Sequence, residues 1–208
     1  MNILIADDHL VVRKGLIQII HDGFPEAFCE EAGTGKEALE KLRIKAYDIA
    51  VIDITMPEMN GLELMRQLKT ENNKTPILIL TSQSEEQYAI RVLKAGASGF
   101  IGKEVAADEL TNAIRKILSG RKYITESLSE KLASGLSSDT EKAPHELLSD
   151  REFEVMKLLA SGKTVSEISE LLFLSVPTIS TYRNRILKKL SLKNNAELMH
   201  YAITLNLT

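Results

Sequence analysis

The chain is poor in cysteine and has no long greasy run. A single cysteine, Cys29, among 208 residues cannot close an intramolecular disulfide, and no Cys/His spacing suits zinc. Cys29 lies in an apolar stretch and is expected to be a small core residue. Nothing approaches the roughly 18 uninterrupted apolar residues of a membrane helix. The opening "MNILIADDHL" meets two acids too early for a secretory leader. A cytoplasmic location with no membrane partner is therefore expected. A strong charge excess is also missing, since the net charge is −3. Its distribution is uneven: residues 1–124 hold 16 basic and 18 acidic side chains, residues 125–145 hold 2 and 4, and residues 146–208 hold 8 and 7. Only the last part is positive, a weak pointer to a nucleic-acid partner.

What is present is a globular composition, 44% hydrophobic and 26% charged, long enough for one large domain or two ordinary ones. Over the first 120 residues short aliphatic runs alternate with amphipathic segments. "NILIA", "YDIAVID", "PILILT" and "SGFIG" read as strands buried on both faces. Val12, Leu16, Ile19 and Ile20 share one helical face, as do Leu110, Ala113, Ile114, Ile117 and Leu118. Thr34 with Glu37, and Ser84 with Gln87, form capping-box patterns at helix starts. The expectation is an α/β fold, a doubly wound five-stranded parallel sheet with five helices.

The rhythm changes after Gly120. Residues 121–146 read as a linker, with one amphipathic helix in "RKYITESLSEKLA" and then a small, polar, aperiodic stretch from Ser134 to Glu146. Residues 147–208 show no strand pattern. Ser149 with Glu152 and Thr164 with Glu167 give further capping boxes, Gly162 closes the first helix, Ser175 can cap a third, and Asn194 or Asn195 opens a fourth. The expected second domain is a small all-α unit of four helices.

Asp7 and Asp8 end the first strand, Asp53 the third and Thr81 the fourth, and Lys103 follows the fifth. A parallel sheet brings these positions to one edge, outside the carboxyl ends of its strands. Each alone reads as a turn, a helix cap or a solvated lysine. Jointly they gather three carboxylates that repel one another unless a cation intervenes. Hard oxygen donors with room for water suit magnesium. The Lys103 ammonium and Thr81 hydroxyl would then meet the other oxygens of a phosphoryl group on Asp53, an arrangement of positioning and charge neutralisation suited to phosphoryl transfer.

With "LIADDH", "VIDITMPEMNGLEL", "LILTS" and "KAGASGFIGK" in this order, the first 120 residues resemble the flavodoxin-like receiver domain of bacterial two-component response regulators. The resemblance implies that Asp53 accepts a phosphoryl group from a sensor histidine kinase. It further implies that Asp8, Asp53 and the backbone carbonyl of Thr55 ligate Mg2+, with Asp7 helping through water. Thr81 would be the switch hydroxyl, Lys103 the phosphate-binding amine, and Phe100 the aromatic that rotates inward behind Thr81. Phe100 read by itself is equally an ordinary core residue. Glu104 stands where many relatives carry proline, so no cis peptide is implied there. Thr55 and Gln83 flank the approach to Asp53. Such a domain catalyses only its own phosphorylation and dephosphorylation.

In "SVPTISTYRNRILKKL", Ile179, Ile186 and Leu190 form an apolar stripe, whereas Ser180, Thr181, Asn184, Arg185 and Lys188 share the opposite side. Short hydrogen-bonding groups followed by Arg183, Arg185, Lys188 and Lys189 fit a helix that reads bases at its start and meets phosphates along its flank. A solvated face with a basic end fits as well. The segment from "LSDREFEVM" to "KKLSL" resembles the LuxR-type helix-turn-helix, and both domains together resemble the NarL/FixJ subfamily. By that resemblance Ser180, Thr181 and Asn184 face bases, and Thr164, Arg183, Lys188 and Lys189 face the backbone of double-stranded DNA. "TVSEIS" and "TISTY" replace the commoner "SNKEIA" and "TVKTH", which removes lysines and should flatten the salt dependence of binding. Leu198, Ala202 and Leu205 on the last helix suit either domain packing or a homodimer contact. RNA polymerase is a further candidate partner. The implied function is phosphorylation-dependent control of transcription; the alternatives are control through protein contact or without phosphorylation.

Overall fold

The computed structural model describes residues 1–82, 85–125, 144–205 and 207. It divides into two compact units, residues 1–137 and 138–208. The helix expected in "RKYITESLSEKLA" and most of the expected linker lie outside the described residues, as does the cap expected at Ser84.

The first unit alternates β1 (Asn2–Ala6), α1 (Leu10–Gly23), β2 (Phe28–Ala32), α2 (Gly35–Ile44), β3 (Ile49–Ile52), α3 (Gly61–Thr70), β4 (Ile77–Thr81), α4 (Glu85–Ala95), β5 (Gly99–Gly102) and α5 (Ala106–Leu118). The strands form one parallel sheet in the order β2-β1-β3-β4-β5. In that order the chain reverses direction across the sheet between β1 and β3, which is where doubly wound sheets open their binding crevice. The aliphatic runs explain the layering. β1, β3 and β4 are buried nearly throughout, and α1 and α5 cover one face with Leu16, Ile20, Leu110, Ala113, Ile114 and Ile117. The edge strand β2 is only partly buried, and Cys29 is a half-buried side chain packed against the core.

Local chemistry sets the helix starts. Thr34 accepts a hydrogen bond from the Glu37 amide at 3.1 Å, and Asn60 and Glu63 form a full capping box on α3. Gly61 is required by space, because a Cβ there would lie 2.4 Å from the Asp53 carbonyl oxygen. The Gly61 amide instead donates to the Ile54 carbonyl at 2.8 Å and draws the start of α3 against the end of β3.

The second unit contains α6 (Asp150–Ala160), α7 (Val165–Leu171), α8 (Val176–Lys189) and α9 (Asn195–Thr204). Ser149 and Thr164 supply capping boxes, Ser175 and Asn194 supply side-chain caps, and Pro177 sits in the first turn of α8. The predicted stripe is inside: Ile179, Ile186 and Leu190 are buried, with Phe153, Met156, Leu159 and Ile168. Leu198 and Ala202 are buried inside this unit, on a helix that packs against α6, whereas Leu205 is exposed. Two of the three residues considered for a dimer contact are therefore core.

Candidate functional site

Asp7 directly follows β1, Asp53 follows β3, Thr81 ends β4 and Lys103 follows β5, so the sheet brings all four strand ends to one edge. The register is fixed by the backbone: the Asp53 amide donates to the Ala6 carbonyl at 2.8 Å and the Asp7 amide to the Ala32 carbonyl at 3.1 Å. The Lys103 ammonium donates to Asp53 Oδ2 at 2.7 Å. It also lies 2.6 Å from Asp7 Oδ2, a second ion pair. One cation thus bridges two buried carboxylates. Burial pushes the Asp53 carboxyl above its usual range against the pull of Lys103; the Asp7 charge adds to the rise and the Thr81 hydroxyl opposes it. Burial alone would lower Lys103, but the Asp53 and Asp7 carboxylates together carry it above its ordinary value.

Asp8 and Thr55 are exposed at the same edge, and Phe100 is buried. The geometry adds two residues absent from the sequence reading. His9 Nδ1 stands 2.8 Å from Asp8 Oδ1, and the His9 amide donates to Asp7 Oδ1 at 2.8 Å. Arg13 Nη1 donates to the Asp7 carbonyl at 2.7 Å while its Nε pairs with Glu31 at 3.0 Å, which holds the turn between β1 and α1. The "DDH" triplet and an arginine one turn into the following helix were the available signals.

Asp53 Oδ1 is buried without a hydrogen-bond partner among the described residues, and Asp7 Oδ2 is met by the Lys103 ammonium. Buried carboxylate oxygens left unpaired are costly unless a further cation or donor meets them. The carboxylate oxygens of Asp7 and Asp8, within 4.8 Å of each other and beside Asp53, are the donors that a hard divalent ion such as magnesium takes.

The helix-turn-helix candidates separate once their partners are known. Asn184, Arg185 and Lys188 are exposed, and Ser180 is half-buried on the same helix. Thr181 Oγ1 donates to the Pro177 carbonyl at 2.9 Å. The Thr164 hydroxyl is engaged with Glu167 in the α7 cap. Arg183 Nε donates to Asn195 Oδ1 at 2.6 Å, fastening α8 to the start of α9. Lys189 Nζ pairs with the buried Glu152 carboxylate at 2.6 Å. Thr164, Arg183 and Lys189 are thus tied within the domain, whereas Asn184, Arg185 and Lys188 present themselves outward.

Residues 3–115 match the response regulator receiver domain, and residues 146–202 match the bacterial regulatory proteins of the luxR family. Together the matches define a class, a receiver and a LuxR-type DNA-binding domain on one chain. The chain is 35% identical over 204 residues to response regulator UvrY of Escherichia coli K12, covering 98% of this chain and 94% of that protein. It is 34% identical over 210 residues to oxygen regulatory protein NreC of Staphylococcus carnosus, covering 98% and 97%. Among solved structures, RcsB of Salmonella enterica serovar Typhimurium, bound to promoter rprA with phosphomimetic BeF3-, is similar with a TM-score of 0.65. Identity to it is 26%, covering 97% of this chain and 98% of that one. An RcsB–DNA complex is similar with a TM-score of 0.59, 27% identity and 97% and 96% coverage. The chain belongs to the NarL/FixJ subfamily of two-component response regulators, which are transcription regulators. Among the described residues no helix is long and apolar enough to cross a membrane.

Proposed function

We propose that Asp53 is the phosphoryl acceptor and that its phosphorylation controls DNA binding by α8. The observation that carries this reading is the Lys103 ammonium held between Asp53 and Asp7, with Asp53 Oδ1 buried and unpaired beside it. A carboxylate oxygen of Asp53 attacks the phosphorus of a phosphohistidine on a sensor kinase, the P–N bond breaks, and an acyl phosphate forms. Lys103 neutralises a phosphoryl oxygen, Thr81 donates to another, and Asp7, Asp8, Asp53 and the Thr55 carbonyl would hold Mg2+. When bound, that ion offsets the negative charge gathering on the transferred group. Movement of Thr81 toward the phosphoryl leaves room for Phe100 to follow, which biases the α4 surface between two states.

The DNA half of the reading rests on α8, with Ser180, Thr181 and Asn184 toward base edges and Lys188 toward phosphate. RcsB, similar over nearly the whole chain, is bound to DNA in both of these structures, and to promoter rprA in one. A homodimer on a two-fold operator would place two copies of α8 about one helical turn apart. RNA polymerase would be met at the promoter, and the chain would act in the cytoplasm.

Incubating the full chain with magnesium and acetyl phosphate should add one phosphoryl mass and raise its affinity for promoter DNA. Persistence of the added mass in Asp53→Ala would overturn the assignment. Control through protein contact alone would leave DNA binding absent or insensitive to salt.

A further inference from the structure

Asn184, exposed on the outer side of α8, has one of its two hydrogen-bonding ends already engaged. Arg183 Nε donates to Asn195 Oδ1 at 2.6 Å, which ties the guanidinium to the first residue of α9. From that anchored position Arg183 Nη1 reaches back to Asn184 Oδ1 at 3.4 Å. A guanidinium carries N–H donors and no acceptor, so the end of each neighbouring amide that faces it is the oxygen. At the longer of the two contacts the positive charge, more than a strong bond, sets which way the amide points. With its oxygen turned toward Arg183, Asn184 presents its Nδ2 amine outward, and that amine only donates.

The consequence follows from what the bases show in the major groove. An asparagine with both ends free suits adenine, because Oδ1 accepts from N6 while Nδ2 donates to N7. With Oδ1 withheld, the adenine amino group meets no acceptor and is left unpaired in the interface, which costs more than a contact simply not made. Guanine instead offers two adjacent acceptors, O6 and N7, to the same amine. The exposed Thr181 is biased the opposite way. Its hydroxyl gives its one proton to the Pro177 carbonyl at 2.9 Å, so its oxygen only accepts, and Arg183 has no part in that arrangement. Two neighbouring readers on one helix thus have fixed and opposite polarity, set by different partners.

We propose that Arg183, held in place by Asn195, determines specificity by turning Asn184 into a donor that selects a G·C pair over an A·T pair in the operator. Arg183 acts here through Asn184 and not on the base, and Asn195 acts through Arg183. The proposal rests on the reading that α8 binds DNA, so the test separates a failure of that reading from a failure of the selection.

Full-length wild-type chain, Asn184→Ala, Thr181→Ala, Arg183→Met, Asn195→Ala and Asn195→Asp each select double-stranded DNA from a randomised pool, with magnesium and acetyl phosphate present. The operator position whose preference disappears in Asn184→Ala is the one that Asn184 reads, and Thr181→Ala marks the position under Thr181. At the Asn184 position the wild type should favour G·C over A·T by about tenfold. Arg183→Met and Asn195→Ala should bring A·T level with G·C or above it. Asn195→Asp keeps an acceptor for Arg183 Nε and should keep the wild-type choice. Loss of a phosphate contact weakens all sequences alike and leaves this ratio unmoved. A wild-type preference for A·T there, or G·C retained by both Arg183→Met and Asn195→Ala, would overturn the proposal. So would an equal change under Thr181, which would mean that Arg183 only sets the tilt of α8, or the absence of any position lost in Asn184→Ala. Failure of the wild type to enrich any sequence would instead overturn the DNA-binding reading beneath it.

Discussion

Lys103 Nζ lies 2.7 Å from Asp53 Oδ2 and 2.6 Å from Asp7 Oδ2, so a single ammonium holds together carboxylates from two adjacent strands. Replacing it with a neutral side chain leaves two buried acids facing each other. Lys103→Gln should destabilise the receiver by about 3 kcal/mol, because removing one partner of a buried ion pair uncovers the charge left behind. Adding Asp7→Asn should recover part of the loss. Urea unfolding of the four proteins of the cycle measures the coupling, and strict additivity would show that Lys103 does not bridge the pair.

Gly61 has no room for a methyl group beside the Asp53 carbonyl. Gly61→Ala should displace the loop between β3 and α3, at a cost of about 1–3 kcal/mol. It should also slow phosphorylation by acetyl phosphate, since Asp53 belongs to the displaced backbone. Normal stability together with a normal rate would mean that the loop absorbs the methyl group.

Lys188 and Lys189 are neighbours in sequence with different surroundings. Lys188→Ala should lower the slope of log affinity against log salt by about one unit while leaving stability unchanged. Lys189→Ala should mainly destabilise the C-terminal domain, since it removes the cation paired with buried Glu152. Salt titrations of DNA binding beside thermal melts separate the two, and equal salt slopes with equal melts would contradict the geometry.

Glu152 carries a pH signature. Burial would raise its carboxyl, but Lys189 and the Ser149 amide outweigh burial and lower it from 4.5. A depressed folded-state value stabilises the domain above the ordinary carboxylate range and loses that effect as pH falls through the folded value. Glu152→Gln should therefore cost about 1–2 kcal/mol at neutral pH. The difference from wild type should shrink as pH drops below 4.5 and vanish under strong acid. A difference independent of pH would mean that the carboxylate acts only by its shape.

Four of the five strands were legible because strands buried on both faces must be aliphatic. "FCEEA" escaped that signal because β2 is an edge strand left partly exposed, whereas β5 at the other edge is buried over Gly99, Phe100 and Ile101. Its two acids are met by side chains distant in sequence, with Glu30 accepting from Tyr47 at 2.8 Å and Glu31 pairing with Arg13 at 3.0 Å. The acidic edge was legible for a related reason, since strand order alone carries Asp7, Asp53, Thr81 and Lys103 to one place. Helical spacing, by contrast, puts Arg183 and Lys189 on the outward flank and says nothing of Asn195 or Glu152, which engage them there.

The hydrogen bond from the Asp53 amide to the Ala6 carbonyl places the proposed acceptor on the ladder between the central strand β3 and its neighbour β1. Amides of that kind exchange with solvent only when the whole domain opens. The Asp53 amide is therefore expected among the slowest-exchanging in the receiver, and hydrogen exchange there should report global stability before and after phosphorylation. As the proposed acceptor, Asp53 would remain a fixed post while structural response is confined to elements that open more readily, so that a signal could be received many times without loosening the place where it lands.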